Sequence, residues 1–177
     1  MIIKGVPFIS NHSDNLRCFQ ACIWMVLKYF NPKKDYSWEY LDSLTDRQPD
    51  KGTWASRTIL NLIRMNYQVE LIENFDYQEF SKDAIKYLSQ RYGPKIAKIQ
   101  KELSDLPKEM DNAKELSKIF KNTNNIAEIK DIKNYLKRGY LVIVNLNYFG
   151  LYQKPGYMGH FVLIYGYDAD SLHLHDP

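Results

Sequence analysis

Residues 159–177 read GHFVLIYGYDADSLHLHDP, and this stretch decides the fold class. Gly159 to Tyr165 is rich in β-branched and aromatic residues, the composition of a buried strand. Asp168-Ala169-Asp170-Ser171 supplies turn chemistry, and Leu172-His173-Leu174-His175 alternates as a strand running back. Working outward towards the N-terminus, Tyr140 to Asn147 (YLVIVNLN) reads as one more buried strand. It follows a helix over Ile126 to Lys137 that Arg138-Gly139 closes.

Upstream of this sheet the sequence reads helical. Residues 18–30, CFQACIWMVLKYF, form a largely apolar run without Gly or Pro that stops at Asn31-Pro32. The run predicts a buried helix headed by Cys18, with Asp14 or Asn15 from the polar turn at Ser10 to Asn15 as its cap. Residues 2–9 read as an extended entry segment punctuated by Pro7. Ser37 to Thr45 and Thr53 to Met65 predict further helices, and Tyr67 to Ile72 alternates like a short strand. A charged region over about residues 77–125 is helical by composition, broken at Gly93-Pro94 and near Leu106-Pro107. Helices first and an antiparallel sheet last define an α+β fold, with no internal repeat. A chain of 177 residues suits one domain, and the charged region reads as a helical insertion within it.

Composition narrows the function. The net charge of +3 is mild, and the ten Lys or Arg against six Asp or Glu between Lys82 and Lys121 read as solvated helix faces. No nucleic-acid partner is expected. No stretch approaches the roughly 18 consecutive apolar residues of a membrane span, and the N-terminus lacks the pattern of a signal peptide. The two cysteines, Cys18 and Cys22, stand one turn apart on one helix, poor geometry for a disulfide. Reduced thiols in a cytoplasmic protein are the resulting expectation.

Cys18 is the candidate nucleophile. A helix N-terminus next to an imidazole lowers a thiol pKa and makes thiolate available. His160 stands at the mouth of a strand, after a loop flanked by Gly156 and Gly159. The hairpin that starts at His160 returns through His175 and delivers Asp176 beside it, where a carboxylate would orient the ring. Cys22 reads as core packing. A four-ligand zinc site built from Cys18, Cys22, His173 and His175 is the competing arrangement, but the usual two-residue spacer is missing. No metal or cofactor is expected.

These segments resemble a known family. VPFISNHSDNLRCFQACIWMVLKYF is similar to the nucleophile segment of the bacteriocin-processing (double-glycine leader) peptidases and their stand-alone papain-like relatives. GHFVLIYGYDADSLHLHDP resembles their His segment, and EIKDIKNYLKRGYLVIVNLN the helix and strand before it. The resemblance implies a papain-like cysteine peptidase acting on a peptide or protein substrate, with Cys18 as nucleophile, His160 as general base and Asp176 as orienting acid. Papain-like enzymes carry a glutamine before the nucleophile to hold the oxyanion; here Asn11 and His12 are the candidates for that role. The family's usual glycine after the cysteine is Phe19 in this chain. The expected function is thiol-dependent hydrolysis of a peptide, isopeptide or other amide bond, chemistry that also serves acyl transfer. The reading from a different class is a catalytically silent papain-like domain that binds a peptide or protein partner.

Overall fold

The computed structural model describes residues 1–120, 125–156 and 158–177. In chain order the elements are α1 (Cys18–Phe30), α2 (Trp38–Leu44), α3 (Ser56–Arg64), α4 (Tyr77–Lys82), α5 (Ala84–Tyr92), α6 (Pro94–Leu103), α7 (Leu106–Leu116), α8 (Ile129–Lys137), β1 (Val142–Asn147), α9 (Tyr148–Leu151), β2 (Gly159–Tyr167) and β3 (Leu172–His175). The class is α+β. The chain divides into two compact units, one of Met1–Leu41 with Glu128–Pro177, the other of Asp42–Ala127.

The first unit is built on a three-stranded antiparallel sheet in the order β1-β2-β3. Leu146 pairs with His160 and Asn147 with Gly159, so β1 ends where β2 begins. Leu163 pairs with His175, and a register shift between Ile164 and Gly166 bulges the central strand before the turn. The turn itself is fastened by Asp168, whose Oδ1 accepts the Asp170 and Ser171 N–H groups at 3.0 and 2.8 Å. The entry segment pairs antiparallel with the far end of β2 at Ile2↔Gly166. A Cβ on Gly166 would stand 2.9 Å from the Met1 carbonyl oxygen and 3.1 Å from Ile2 Cα, so only glycine admits that approach.

Helix α1 buries Ala21, Cys22 and Met25 against Leu163 of β2, with Val6, Ile9, Ile143 and Phe161 around them. Asn31 closes it, its N–H reaching Leu27 O. Neither Asp14 nor Asn15 caps its start: Arg17 is the N-cap and makes no side-chain cap bond, while Asp14 Oδ1 accepts the Leu16 N–H at 3.0 Å, one turn early. Helix α8 starts on a reciprocal cap between Glu128 and Asp131 and ends at Gly139, whose φ of 86° needs a residue without a Cβ.

The second unit is helical. Its core is Ile59, Leu60, Tyr77, Phe80, Leu88, Leu106 and Leu116, with Trp54 and Phe75 against Phe80. Asp76, Asp83 and Asp105 accept backbone N–H groups at the starts of α4, α5 and α7. Gly93, at φ 90°, turns the chain from α5 into Pro94 at the head of α6. Lys86, Lys95, Lys98, Lys101 and Lys114 are exposed, as a solvated face requires. Tyr67 to Ile72 forms no strand. Its alternation has another cause: Val69 and Leu71 turn onto the helical core. The unit begins at Asp42, well before residue 77, and within 77–125 residues 121–124 lie outside those described.

Candidate active site

The residues singled out in the sequence all fall in the first unit. Asp176 follows β3 directly, and its Oδ1 lies 2.5 Å from His160 Nε2. The His160 side chain is 15% exposed and Asp176 54%, so the ring is sheltered while its carboxylate partner meets solvent. A carboxylate only accepts at neutral pH, so Nε2 is the ring nitrogen that donates to it, and Nδ1 is the one left to face other groups.

Cys18 is half-buried, as the first residue of α1. Burial pushes its thiol above the ordinary value, and the Asp176 charge adds to that; the backbone N–H groups of Phe161, Phe19 and Cys18 itself pull the other way. The helix start alone thus does not leave the thiol ionised, contrary to what its position suggests. Phe161 is the residue after His160, and its ring meets Phe19 at 4.5 Å between centroids. The Phe161 N–H reaches the Cys18 sulfur, which places the thiol at the backbone of the residue after His160. Among the described residues no hydrogen bond joins the Cys18 sulfur to the His160 ring, whose Nε2 is engaged by Asp176. Cys22 is fully buried, and burial pushes its thiol much further up. It is core.

Asn11 and His12 lie in the loop that leads into α1. Asn11 Oδ1 accepts the Arg17 N–H at 3.0 Å, beside Cys18. His12 Nδ1 is 2.8 Å from Arg17 Nη1, and the ring stands edge-on to Trp38 at 5.3 Å. Arg17 also binds the Asp14 carboxylate. Burial opposes ionisation of Asp14, but the Leu16 N–H, the Arg17 charge and His12 together hold its carboxyl below the usual range.

The histidines of the zinc arrangement are committed elsewhere: His173 Nε2 is 3.3 Å from Asp168, and His175 Nε2 is 3.2 Å from the Val6 carbonyl. Among the described residues no group of three or more His, Cys, Asp or Glu is placed to hold a metal.

One neighbour of the site was missed in the sequence. Tyr148, in the short helix α9, packs edge-on to the His160 ring at 5.5 Å. Asn147 fastens its loop, Nδ2 donating to Gly156 O at 3.1 Å and Oδ1 accepting the Met158 N–H at 3.1 Å. The available signal was the aromatic density of Tyr148, Phe149 and Tyr152 between the two strands.

A helix-borne thiol next to a sheet in which one strand carries an imidazole and the end of its neighbour delivers a carboxylate to it, on an α+β frame, is the architecture of the papain-like cysteine peptidases. The chain belongs to the Peptidase_C39 like family, whose model matches residues 3–177. No curated protein and no solved structure matches it. No helix among the described residues is long and apolar enough to cross a membrane.

Proposed function

We propose that this protein is a thiol-dependent hydrolase of peptide or other amide bonds, with Cys18 as nucleophile, His160 as general base and then acid, and Asp176 as the group that orients the ring. The observation that carries the reading is the 2.5 Å bond between Asp176 and His160 Nε2, because it commits Nδ1 to the role of proton acceptor. In the first step the Cys18 proton passes to Nδ1 while sulfur bonds to the substrate carbonyl carbon. The proton then leaves on the departing amine as the C–N bond breaks, giving a thioester. Water attacks next, Nδ1 takes its proton, and the carboxylic acid leaves with the thiol restored. The Phe19 and Cys18 N–H groups, already near the sulfur, supply backbone donors for the oxyanion. Asn11 and His12 are the side-chain candidates. The substrate is a peptide or protein, and Gly156 and Gly159 in the loop before His160 favour small residues near the scissile bond. We read the charged helical region at about residues 77–125 as an insertion into the peptidase domain. Two free thiols suit a reducing compartment, the cytoplasm.

The second reading, a catalytically silent domain that binds a peptide or protein partner, draws on the burial that keeps the Cys18 thiol protonated. Iodoacetamide labelling followed by peptide mass analysis separates the two. A hydrolase modifies at Cys18 far faster than at Cys22 near neutral pH. His160→Ala then lowers the Cys18 rate by roughly 10²-fold, the scale of one acid–base group. Equal, slow labelling of both thiols would establish the silent domain instead.

A further inference from the structure

We propose that Arg17 is a positioning residue: its guanidinium fixes the imidazole of His12 as the Nε2–H tautomer, which makes Nε2 the ring nitrogen able to donate to the oxyanion. The tautomer follows from the contacts at Nδ1. Arg17 Nη1 is 2.8 Å away and the Asp14 backbone N–H 3.3 Å away, and both groups can only donate. A proton on Nδ1 would face two others. The remaining neighbour, Asp14 Oδ1, lies 3.2 Å from Nδ1 and favours the opposite tautomer. That oxygen already accepts the Leu16 N–H at 3.0 Å, while the other Asp14 oxygen holds Arg17 Nη1 itself. Asp14 thus acts mainly on the guanidinium, and the shortest contact at Nδ1 is with a donor that has no acceptor capacity. The Glu39 charge also acts on both Arg17 and His12. The Arg17 side chain is 14% exposed against 33% for His12, so the guanidinium is the better-held partner. An imidazole whose one nitrogen is engaged by a fixed donor offers its other nitrogen as the N–H. The loop bearing this pair is tied to the helix head by Asn11 and the Arg17 N–H, one residue before Cys18.

The tautomer can be tested apart from catalysis, whereas its oxyanion role rests on the hydrolase reading above. Long-range proton–nitrogen spectra of the labelled full chain near neutral pH should show His12 with a protonated Nε2 and an unprotonated Nδ1. In Arg17→Met, which keeps the stem and loses every donor, the ring should move towards Nδ1–H, with Asp14 as acceptor. Acylation of Cys18 by p-nitrophenyl acetate develops an oxyanion; alkylation by iodoacetamide does not. Arg17→Met should therefore lower acylation about tenfold with little change in alkylation, and Arg17→Lys should restore most of it. Nδ1–H or a fully protonated ring in the unmodified chain overturns the assignment. So does an equal loss of both reactions in Arg17→Met without rescue by lysine, the mark of a merely structural arginine. If neither reagent favours Cys18 over Cys22, the hydrolase reading and the oxyanion role fall together, and the spectra still decide the tautomer.

Discussion

At Cys18, burial and the backbone act in opposite directions. Three N–H groups favour the thiolate and the apolar surroundings favour the thiol, with the second effect larger. On the proposed mechanism the nucleophile comes from proton transfer to His160 and not from spontaneous ionisation, which makes the imidazole indispensable to it. Asp176 has two effects of different sign. On the proposed mechanism it stabilises the imidazolium that forms when the thiol ionises, yet its negative charge pushes the thiol itself up. A double substitution separates them. In His160→Ala the thiol titrates alone, and alkylation climbs with pH through and beyond the ordinary thiol range. Adding Asp176→Asn removes a like charge and should shift that rate profile to lower pH. In the presence of His160 the same change should cost turnover, roughly tenfold or more, because the ring loses its orienting acceptor. An alkylation profile that stays put, or moves to higher pH, would show that Asp176 does not act on the sulfur.

At the scale of elements, the close approach of the entry segment to β2 is a glycine contact. Gly166→Ala places a methyl within 3.1 Å of Met1 and Ile2 backbone atoms. The N-terminal pairing (Ile3 N–H to Tyr165 O, 2.9 Å) has to give way. A loss of about 1–3 kcal/mol is expected from such overpacking, read from urea unfolding, together with faster hydrogen exchange at Ile3 and Tyr167. An unchanged midpoint would mean that the segment contributes nothing to the sheet. The elements that the sequence reveals are those with a local cause. Asn31-Pro32 and an unbroken apolar run mark α1 to the residue, and β-branched density marks β1 and β2. What misleads at Tyr67 to Ile72 is that alternation records one-sided burial whether or not a partner strand exists. Helix α9 spans four residues, too few for any period to show. The Asp176–His160 proximity is foreseeable from the hairpin, because a strand that returns beside β2 has few rows in which to end. The Arg17–His12 contact is not, since it depends on how an irregular loop is wound.

The two units answer acid in opposite ways. In the helical unit, burial pushes the carboxyl groups of Glu73 and Glu109 up, despite the Tyr77 hydroxyl on the first and Asn112 and Ser56 on the second. Folding there binds protons more tightly than the unfolded chain does. The contribution is complete below the ordinary glutamate value of about 4.3 and is lost as pH rises through the folded values. In the sheet unit, Asp168 is held down to about 2, chiefly by the Ser171 hydroxyl and the turn's N–H groups. Its contribution is present above the ordinary aspartate value of about 3.9 and disappears as pH falls towards 2. Trp54, packed on Phe75 and Phe80, reports the helical unit, and Trp24 with Trp38 reports the other. With Trp24 and Trp38 replaced by Phe, urea unfolding followed at Trp54 should show greater resistance in mild acid than at neutral pH. Glu109→Gln removes one buried carboxylate and should raise the neutral-pH midpoint while leaving the acid midpoint nearly unchanged, since the wild-type carboxyl is protonated there already. A substitution that helps equally at both pH values would mean that packing or hydrogen bonding, and not the buried charge, limits the unit.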